Sequence, residues 1–281
     1  MMPSVLRRAA LTAFAGLAFC SAAHAESQLI LGAGAGWKPD YLGSDDYEAT
    51  PLPMLYYGWS GEAAASPASG YKTSLGLIDV QAGFPNGVDV GVARVATPTR
   101  NFTLRLGGGY RFGRDADDND ALKGMGDIDG QGIARITLAS EPANPRRIGT
   151  SYGIKYEADI TDETNGDTFS LFVGHTLPVT PRTTLTLSGN LRWADDDEMQ
   201  AYFGVSPAQA ARSGHVRFEA GSGFSDAGLS ARLDWSFAEH WLLSGGLGYT
   251  RLLGDAADSP LVDGDGSANQ FILTTAIAYR F

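Results

Sequence analysis

Hydrophobic and polar side chains alternate along most of this chain, and a period of two predicts β-strands. In residues 101–113, Phe102 and Leu104 lie on one face, while Thr103 and Arg105 lie on the other. Such segments are longer than the about five or six residues typical of soluble sheets, and their length suits a tilted strand that crosses a membrane. The same alternation recurs in residues 148–160, 182–193 and 226–237.

The alternating segments predict an all-β chain of twelve strands, with ten as the alternative. The pattern is weakest in residues 60–100, where residues 84–87 (FPNG) predict a turn but the flanking alternation is poor. The predicted strands are residues 28–37, 50–59, 70–82, 87–96, 101–113, 128–140, 148–160, 167–178, 182–193, 226–237, 241–252 and 269–281.

The connections between these strands alternate in length when they are counted back from Phe281, whose end we expect in the periplasm. The short ones are residues 238–240, 179–181, 141–147 and 97–100, and the long ones, which are acidic and rich in glycine, are residues 114–127, 194–225 and 253–268. Short turns on one side and long loops on the other are typical of outer-membrane barrels. The predicted fold is therefore a transmembrane antiparallel β-barrel with long extracellular loops and short periplasmic turns.

The C-terminal segment, residues 269–281, alternates as far as its last residue, with Phe281, Tyr279, Ile277 and Leu273 on its apolar face. At the edge of a soluble sheet, this ending would expose aromatic rings and unpaired amides, which promotes aggregation. A strand that closes a membrane barrel avoids both problems. The ending resembles the signal that bacterial outer-membrane proteins present to their barrel assembly machinery; an ordinary sandwich strand is the alternative.

Residues 1–25 have the features of a secretory signal peptide. A basic start precedes an apolar run, residues 9–19, which is too short to span a bilayer as a helix. Ala23 and Ala25 occupy the positions that a signal peptidase reads. We therefore expect cleavage after Ala25, export from the cytoplasm, and a single outer-membrane barrel domain of residues 26–281.

Composition and net charge exclude several classes of function and of binding site. The net charge of −11 becomes −13 without the signal peptide, because Arg7 and Arg8 are its only charged residues. An acidic chain without a basic patch is not expected to bind nucleic acid. Cys20 is the only cysteine and leaves with the signal peptide, which excludes disulfides and thiolate metal sites. Phe19 stands where a lipoprotein signal needs a small residue, so lipidation of Cys20 is not predicted.

The face opposite the apolar one carries charges of both signs, which the alternation directs into the barrel lumen. In a twelve-stranded lumen, opposite charges at this density are expected to pair across the barrel. A paired interior obstructs a pore, and open diffusion channels generally have more strands, so a narrow selective channel is the alternative. The predicted lumen charges are Arg105, Arg111, Lys155, Glu157, Asp159, Arg192, Arg232, Asp234 and Arg280.

Aspartate clusters in the predicted loops raise the question of a divalent cation site, since Ca²⁺ and Mg²⁺ prefer carboxylate oxygens. The best window does not match an EF-hand, because Asp120 stands where glycine is required and Gly126 where the bidentate glutamate is required. We favour a solvated acidic surface without a metal or cofactor, and weak Mg²⁺ or Ca²⁺ bridging to lipopolysaccharide phosphates is the alternative. The candidate ligands are Asp115, Asp117, Asp118, Asp120, Asp195, Asp196 and Asp197.

No catalytic motif is recognisable in the mature chain. Its histidines are His175, His215 and His240, and none of them lies in a motif with a serine and an orienting carboxylate or amide. We therefore predict a protein without enzymatic activity.

Two short helices are predicted within the long loops. Ser206 suits an N-cap, Pro207 suits the first helical position and Gln209 completes a capping box, which predicts a helix over residues 207–212. Another helix is expected in residues 255–262. Both are expected to order the outer rim of the barrel as a lid rather than to bind a ligand.

Five runs of the sequence are distinctive: residues 39–47 (PDYLGSDDY) with 51–53 (PLP), residues 110–129, 193–214 and 248–262, and the pair Asn269 and Gln270. These runs resemble the MipA/OmpV family of outer-membrane barrels, and together they span almost all of the mature chain. Two departures are visible. Glu198 stands where the resemblance calls for an aromatic residue, and residues 60–100 match little.

The resemblance implies a scaffold that links a murein lytic transglycosylase to a bifunctional penicillin-binding protein in peptidoglycan remodelling. Because the periplasmic turns are short, several of them would have to combine into a docking surface, with residues 60–69 as one part. The alternatives are a narrow pore or small-molecule-binding barrel, and an adhesin that uses its long loops. Outer-membrane lipid, lipopolysaccharide and the barrel assembly machinery are the other expected partners.

Overall fold

A computed structural model describes residues 26–61, 71–84, 86–144 and 146–281. The predicted signal peptide lies outside these residues, as do residues 62–69 of the proposed docking surface. The chain forms twelve antiparallel strands that close into one barrel. The strands are β1 (Glu26–Pro39), β2 (Tyr47–Ser60), β3 (Lys72–Phe84), β4 (Gly87–Ala96), β5 (Arg100–Arg111), β6 (Gln131–Pro142), β7 (Gly149–Asp159), β8 (Asp167–Thr180), β9 (Thr183–Ala194), β10 (Gly223–Ser236), β11 (Trp241–Leu252) and β12 (Asn269–Arg280).

The barrel closes because its first and last strands pair with each other. β1 pairs with β12 from Ile30 opposite Arg280 to Trp37 opposite Leu273, and the other pairs join strands that are neighbours in sequence. Closure leaves no free sheet edge, which is the condition for a sheet to exist within hydrocarbon. The prediction of a twelve-stranded antiparallel barrel is confirmed, and the alternative of ten strands is wrong.

The weak alternation in residues 60–100 has a physical cause. The register of β3 against β4 shifts between Leu75 and Asp79, and that of β4 against β5 shifts between Gly91 and Ala93. A bulge moves the following side chains to the other face of the sheet. A strict period of two is therefore lost in this part of the barrel, although the predicted strands lie within three residues of the observed ones.

Aromatic rings form two bands on the outside of the barrel. Along β12, eight residues separate Phe271 from Tyr279, which corresponds to roughly 20 Å along the axis for a strand tilted by about 40°. This spacing is close to the height of the apolar band in transmembrane barrels. The rings near the C-terminus are Trp235, Phe237, Trp241, Tyr279 and Phe281, and those at the opposite end are Trp37, Tyr47, Phe84, Tyr110, Phe112, Tyr156, Phe169, Trp193, Tyr249 and Phe271.

The two faces of β9 should respond differently to a new charge. Leu187→Arg is expected to cost about 2 to 4 kcal/mol of folding free energy, because Leu187 is 45% exposed on the apolar outer face. Ser188→Arg is expected to cost less, because Ser188 lies opposite Gly174 and Ser230 on the polar inner face. Refolding titrations into lipid vesicles measure both losses. If the costs were equal or reversed, the assignment of the two faces would be wrong.

The two ends of the barrel carry different connections. We call the end that holds the C-terminus the turn end and the opposite end the loop end. Residues 97–99, 143–148, 181–182 and 237–240 connect strands at the turn end, whereas residues 40–46, 112–130, 160–166, 195–222 and 253–268 do so at the loop end. None of the helices in the described residues is long and apolar enough to cross a membrane.

Four short α-helices lie in the loop-end connections. The predicted helix at residues 207–212 is confirmed, with both hydrogen bonds of the capping box at Ser206 and a left-handed Gly214 at its end. Residues 255–262 form two helices instead of one, since Ser259 starts a new turn by accepting a bond from the Leu261 amide. The helices are α1 (Asp196–Phe203), α2 (Pro207–Ser213), α3 (Asp255–Asp258) and α4 (Pro260–Asp263).

We predict that the loop end faces the cell exterior and the turn end faces the periplasm. Single cysteines at Asp118 and Ala238, which are exposed at opposite ends, test this in whole cells with a membrane-impermeant thiol reagent. The cysteine at 118 should react and that at 238 should not. Cys20 is the only native cysteine, and cleavage of the predicted signal peptide would remove it, so no other thiol is expected to interfere. Labelling at 238 but not at 118 would reverse the orientation.

Candidate functional site

The loop-end connections fold over the barrel mouth as a lid with its own apolar core. Two buried clusters form this core, and Phe203 and Leu261 within them are almost completely inaccessible to solvent. Connecting loops rarely bury such a core, so the lid is a folded part of the molecule. The clusters are Ala194, Met199, Phe203, Ala220, Leu252, Ala256 and Val262, and Tyr41, Leu122, Met125, Val205 and Leu261.

Helix α1 lies across the mouth of the lumen, because its side chains bond inward-facing residues of different strands. Arg111 of β5 donates from Nη1 to Glu198 Oε1 at 2.7 Å. Gln131 of β6, which is completely buried, donates from Nε2 to the Tyr202 hydroxyl at 3.1 Å. The lid is therefore bonded to the lumen wall as well as to itself.

Side-chain donors also bind the loop-end connections to one another. The Tyr41 hydroxyl donates to the Leu261 carbonyl at 2.9 Å, and Ser259 Oγ donates to the Phe203 carbonyl at 2.6 Å. Burial, with the charge of Asp40 as the next cause, raises the pKa of Tyr41 to about 12. The hydroxyl thus keeps its proton, and the bond to Leu261 persists, throughout the neutral and moderately alkaline range.

The contacts of Glu198 explain how the chain accommodates this departure from the family pattern. Its side chain is 4% exposed, and a Cβ at Gly166 would lie only 2.6 Å from the Glu198 Cβ, so the two chain segments are in close contact. Burial raises the pKa of Glu198, and the charges of Arg111 and Arg192 oppose this rise. An ion pair with the lumen wall thus takes the place of the aromatic packing that the resemblance leads one to expect.

Below the lid, strands β3 to β7 carry a charged wall of the lumen. Asp79 bonds Arg94, and its Oδ1 also accepts from Arg105 Nε at 3.3 Å. Arg105 Nη2 extends the chain of contacts to Glu141 Oε2 at 3.4 Å. Asp79 and Arg105 are each 5% exposed. These charges therefore neutralise one another inside the wall.

A second group of charges continues the same wall towards the loop end. Arg135 donates to Asp89 at 3.0 Å and to Glu157 at 2.9 Å, and Lys155 Nζ lies 2.8 Å from the other oxygen of Glu157. Each cation has an acidic partner on its own or a neighbouring strand. Paired charges therefore line this half of the lumen.

The facing wall, on β8 to β12 and β1, is built mainly from small residues. Arg192 pairs there with Asp226 at 2.7 Å, and Arg232 pairs with Asp234 at 3.0 Å. The Arg232 side chain is 62% exposed, so solvent reaches this part of the lumen. The small inward residues are Gly32, Gly34, Gly174, Ser188, Gly228, Ser230, Gly246, Gly248 and Ala276.

Two of the predicted lumen charges lie at the barrel ends. Asp159 ends β7 and accepts from the amides of Thr161 and Thr164 at 2.8 Å each, so it orders residues 160–166. Arg280 is exposed and donates to the Glu239 carbonyl at 3.2 Å. The other seven form ion pairs along the lumen: Arg105, Arg111, Lys155, Glu157, Arg192, Arg232 and Asp234.

Sequence reasoning missed most of the partners of these charges. Arg135 and Glu141 could have been identified from the sequence, because the alternation along β6 places both on its inward face. Asp79 and Arg94 were hidden by the bulges in β3 and β4. The residues missed are Asp79, Asp89, Arg94, Arg135, Glu141, Glu198 and Asp226.

The acidic loop residues have structural contacts of their own. Asp195 is the N-cap of α1 and accepts from the Glu198 amide at 2.9 Å, and Asp115 accepts from the Asp117 amide at 2.9 Å. Burial and the charges of Asp115 and other nearby carboxylates raise the pKa of Asp118. In the part of the chain that the structure describes, no three of the predicted ligands, nor any other His, Cys, Asp or Glu residues, form a group that could hold a metal ion.

The three histidines contribute to structure at separate places. His175 contacts Thr150 on the outer wall at 2.8 Å. His215 Nε2 lies 2.8 Å from the Ala121 carbonyl within the lid. His240 Nδ1 lies 2.9 Å from the Arg280 carbonyl at the turn end.

The predicted assembly signal forms the outer face at the end of β12. The Phe281 amide donates to the Leu29 carbonyl at 2.9 Å, which extends the pairing with β1 to the last residue. The Phe281 ring packs against Tyr279 with centroids 4.8 Å apart. Ile277 and Leu273 are exposed on the same face, so the whole row is accessible from the membrane side.

Comparison with known proteins supplies the family. A family model described as MltA-interacting protein MipA matches residues 31–281. The MltA-interacting protein of Escherichia coli (strain K12) is 25% identical over 264 residues, which cover 92% of each chain. The outer membrane protein OmpV of Vibrio cholerae is 29% identical over 126 residues, which cover 45% of this chain and 47% of that protein.

Solved outer-membrane barrels are more distant. OprB of Pseudomonas putida has a TM-score of 0.45 and 8% identity, over 92% of this chain and 94% of that one. The closed twelve-stranded sheet and relatives named as outer membrane proteins establish an outer-membrane β-barrel. Because the family model covers most of the 281 residues, the chain belongs to the family of MltA-interacting protein MipA.

Proposed function

We propose that this barrel is a non-enzymatic scaffold in peptidoglycan remodelling, which binds a lytic transglycosylase and a bifunctional penicillin-binding protein at its periplasmic end. The name of the Escherichia coli relative, which aligns over 92% of both chains, supports the first partner. The second partner is inferred from the family resemblance. The structural observation that carries the proposal is the lid, which covers the loop end and leaves the turn end as the surface available to periplasmic partners.

The distribution of charge gives the turn end a distinct character. The loop-end connections contain twenty acidic and four basic residues. At the turn end, the described connections hold Arg146, Arg147 and Arg182 but only Glu239 as an acid. Arg146 donates to the Pro181 carbonyl at 3.1 Å, which joins two neighbouring turns. Arg146 and Arg182 therefore belong to one basic patch, which suits an acidic surface on a partner.

Charge reversal tests this patch directly. The double variant Arg146→Glu, Arg182→Glu is expected to bind a purified MltA-type transglycosylase at least about tenfold more weakly than the wild type, because rim charges govern encounter and register. The matched control is Arg217→Glu, an exposed arginine in the lid, which should bind normally. Normal binding by the double variant would exclude this patch as the docking surface. Absence of binding by the wild-type barrel would exclude the scaffold itself.

A narrow pore or small-molecule-binding barrel is the second candidate. Solvent-accessible Arg232 favours it, as does Ile272, which is 41% exposed on the inner face of β12. Both indicate open space in the lumen below the lid. Planar-bilayer recordings separate the two functions, since the scaffold predicts no steady conductance and a pore predicts one.

A further inference from the structure

A groove of about 570 Å³ lies on the membrane-facing wall across β8 to β11. Its floor contains Gly189 of β9 and Ala227 of β10, which are outward positions without long side chains. Leu171 and Leu229, which are 55% and 68% exposed, form its sides. The wall is therefore indented by small residues where the positions around them carry leucine.

The loop-end edge of this groove is polar. Arg251 and Tyr249 line it, and both donate to Asn269 Oδ1, at 3.1 Å and 2.8 Å. A guanidinium has five N–H donors, and within the described residues the Arg251 side chain makes only this one hydrogen bond. Within the described residues, no carboxylate forms an ion pair with the Arg251 side chain. Arg251 thus differs from the lumen arginines, such as Arg105, that bond acidic partners.

The height of Arg251 matches the membrane boundary. It precedes the last residue of β11, and the neighbouring ring of Tyr249 packs against Phe271 with centroids 5.1 Å apart, within the loop-end aromatic band. With the loop end outside the cell, the guanidinium lies at the headgroup level of the outer leaflet. The phosphorylated lipid of that leaflet is lipopolysaccharide.

We propose that this groove binds lipopolysaccharide through its lipid A part, with an acyl chain against Gly189 and Ala227 and a phosphate on Arg251. Two chemical features must coincide for such a ligand, an apolar channel and a cation at its outer end, and both are present here. Arginine binds phosphate oxygens with a planar pair of donors. The surrounding acidic loops repel a phosphate elsewhere on the rim, so Arg251 also determines where the lipid is held.

Purified barrel in an uncharged detergent, titrated with bisphosphoryl lipid A and followed by native mass spectrometry, tests the site. Arg251→Gln is expected to weaken binding about tenfold, through loss of a charge-assisted bond. Gly189→Leu fills the groove and is expected to weaken it to a similar extent with the charge intact. The control is Arg217→Gln, an exposed arginine in the lid, which should leave binding unchanged.

Each variant is first shown to be folded by its heat-modifiable migration in electrophoresis, so that lost binding is not lost structure. Binding of lipid A by Arg251→Gln at the wild-type level would overturn the proposal. So would equal weakening by Arg217→Gln, which would indicate general charge attraction. Equally tight, Arg251-dependent retention of phosphatidylglycerol would assign the site to ordinary phospholipid instead. The test does not depend on the proposed scaffold function.

Discussion

Replacement of Asp79 by alanine is expected to lower the free energy of unfolding by about 3 to 5 kcal/mol, because it removes one partner of a buried ion cluster. Asp79 bonds both Arg94 and Arg105. Without its carboxylate, two cations remain in the wall, and Arg105 keeps only Glu141, at 3.4 Å. Reversible refolding in lipid vesicles with a denaturant titration measures the loss.

A matched control lies on the opposite wall of the lumen. Asp234→Ala removes the ion-pair partner of Arg232, whose side chain is 62% exposed, and the acceptor of the Ser244 hydroxyl, and should cost about 1 kcal/mol because water replaces the contact to the exposed guanidinium. Asp79→Asn keeps the shape of the side chain and should retain most of the destabilisation, since the missing charge causes it. Equal losses for Asp79→Ala and Asp234→Ala would contradict the argument from burial.

The ion cluster shows which contacts in the lumen can be predicted from the alternation of polar and apolar residues and which cannot. The alternation of polar and apolar residues along β5 is enough to place Arg105 on the inner face. Its partner could not be identified in the same way, because Asp79 is on β3 and Arg105 on β5, with Gly91 of β4 between them. A Cβ at Gly91 would lie 2.9 Å from the Asp79 Cγ, so the contact across two strands requires glycine. Such a contact depends on register and bulges, which are tertiary properties.

The lid likewise shows which parts of the candidate site can be predicted from the sequence and which cannot. Local rules predicted α2 because its cap and first turn follow in sequence. The sequence favours a solvated acidic surface for Asp195, Asp196 and Asp197, although an aspartate N-cap followed by an acidic first turn also favours a helix, and α1 begins there. The apolar core of the lid was not predictable, since it joins residues 40–46, 112–130, 195–222 and 253–268 only after the barrel has brought these loops together.

Replacement of Phe281 by alanine is expected to reduce assembly into the outer membrane strongly while it leaves the folded barrel nearly intact. The ring is 64% exposed on the outer face, so its loss removes at most about 1.5 to 3 kcal/mol of apolar burial. The backbone bond from residue 281 to the Leu29 carbonyl does not involve the ring. The variant should therefore refold in detergent, whereas in cells the unassembled chain should be degraded in the periplasm.

Phe271, a second aromatic residue on β12, is a control that distinguishes recognition by the assembly machinery from the stability of the folded barrel. Phe271 is 47% exposed, ten residues earlier on the same outer face of β12, but at the loop end. Phe271→Ala removes the same side chain from an equivalent membrane boundary, so its effect on stability should be similar. Only Phe281→Ala should deplete the heat-modifiable band in outer-membrane fractions, because only that ring belongs to the terminal signal. If both variants assembled equally well, the closing strand would have no role in targeting, and its aromatic end would serve as a membrane anchor alone.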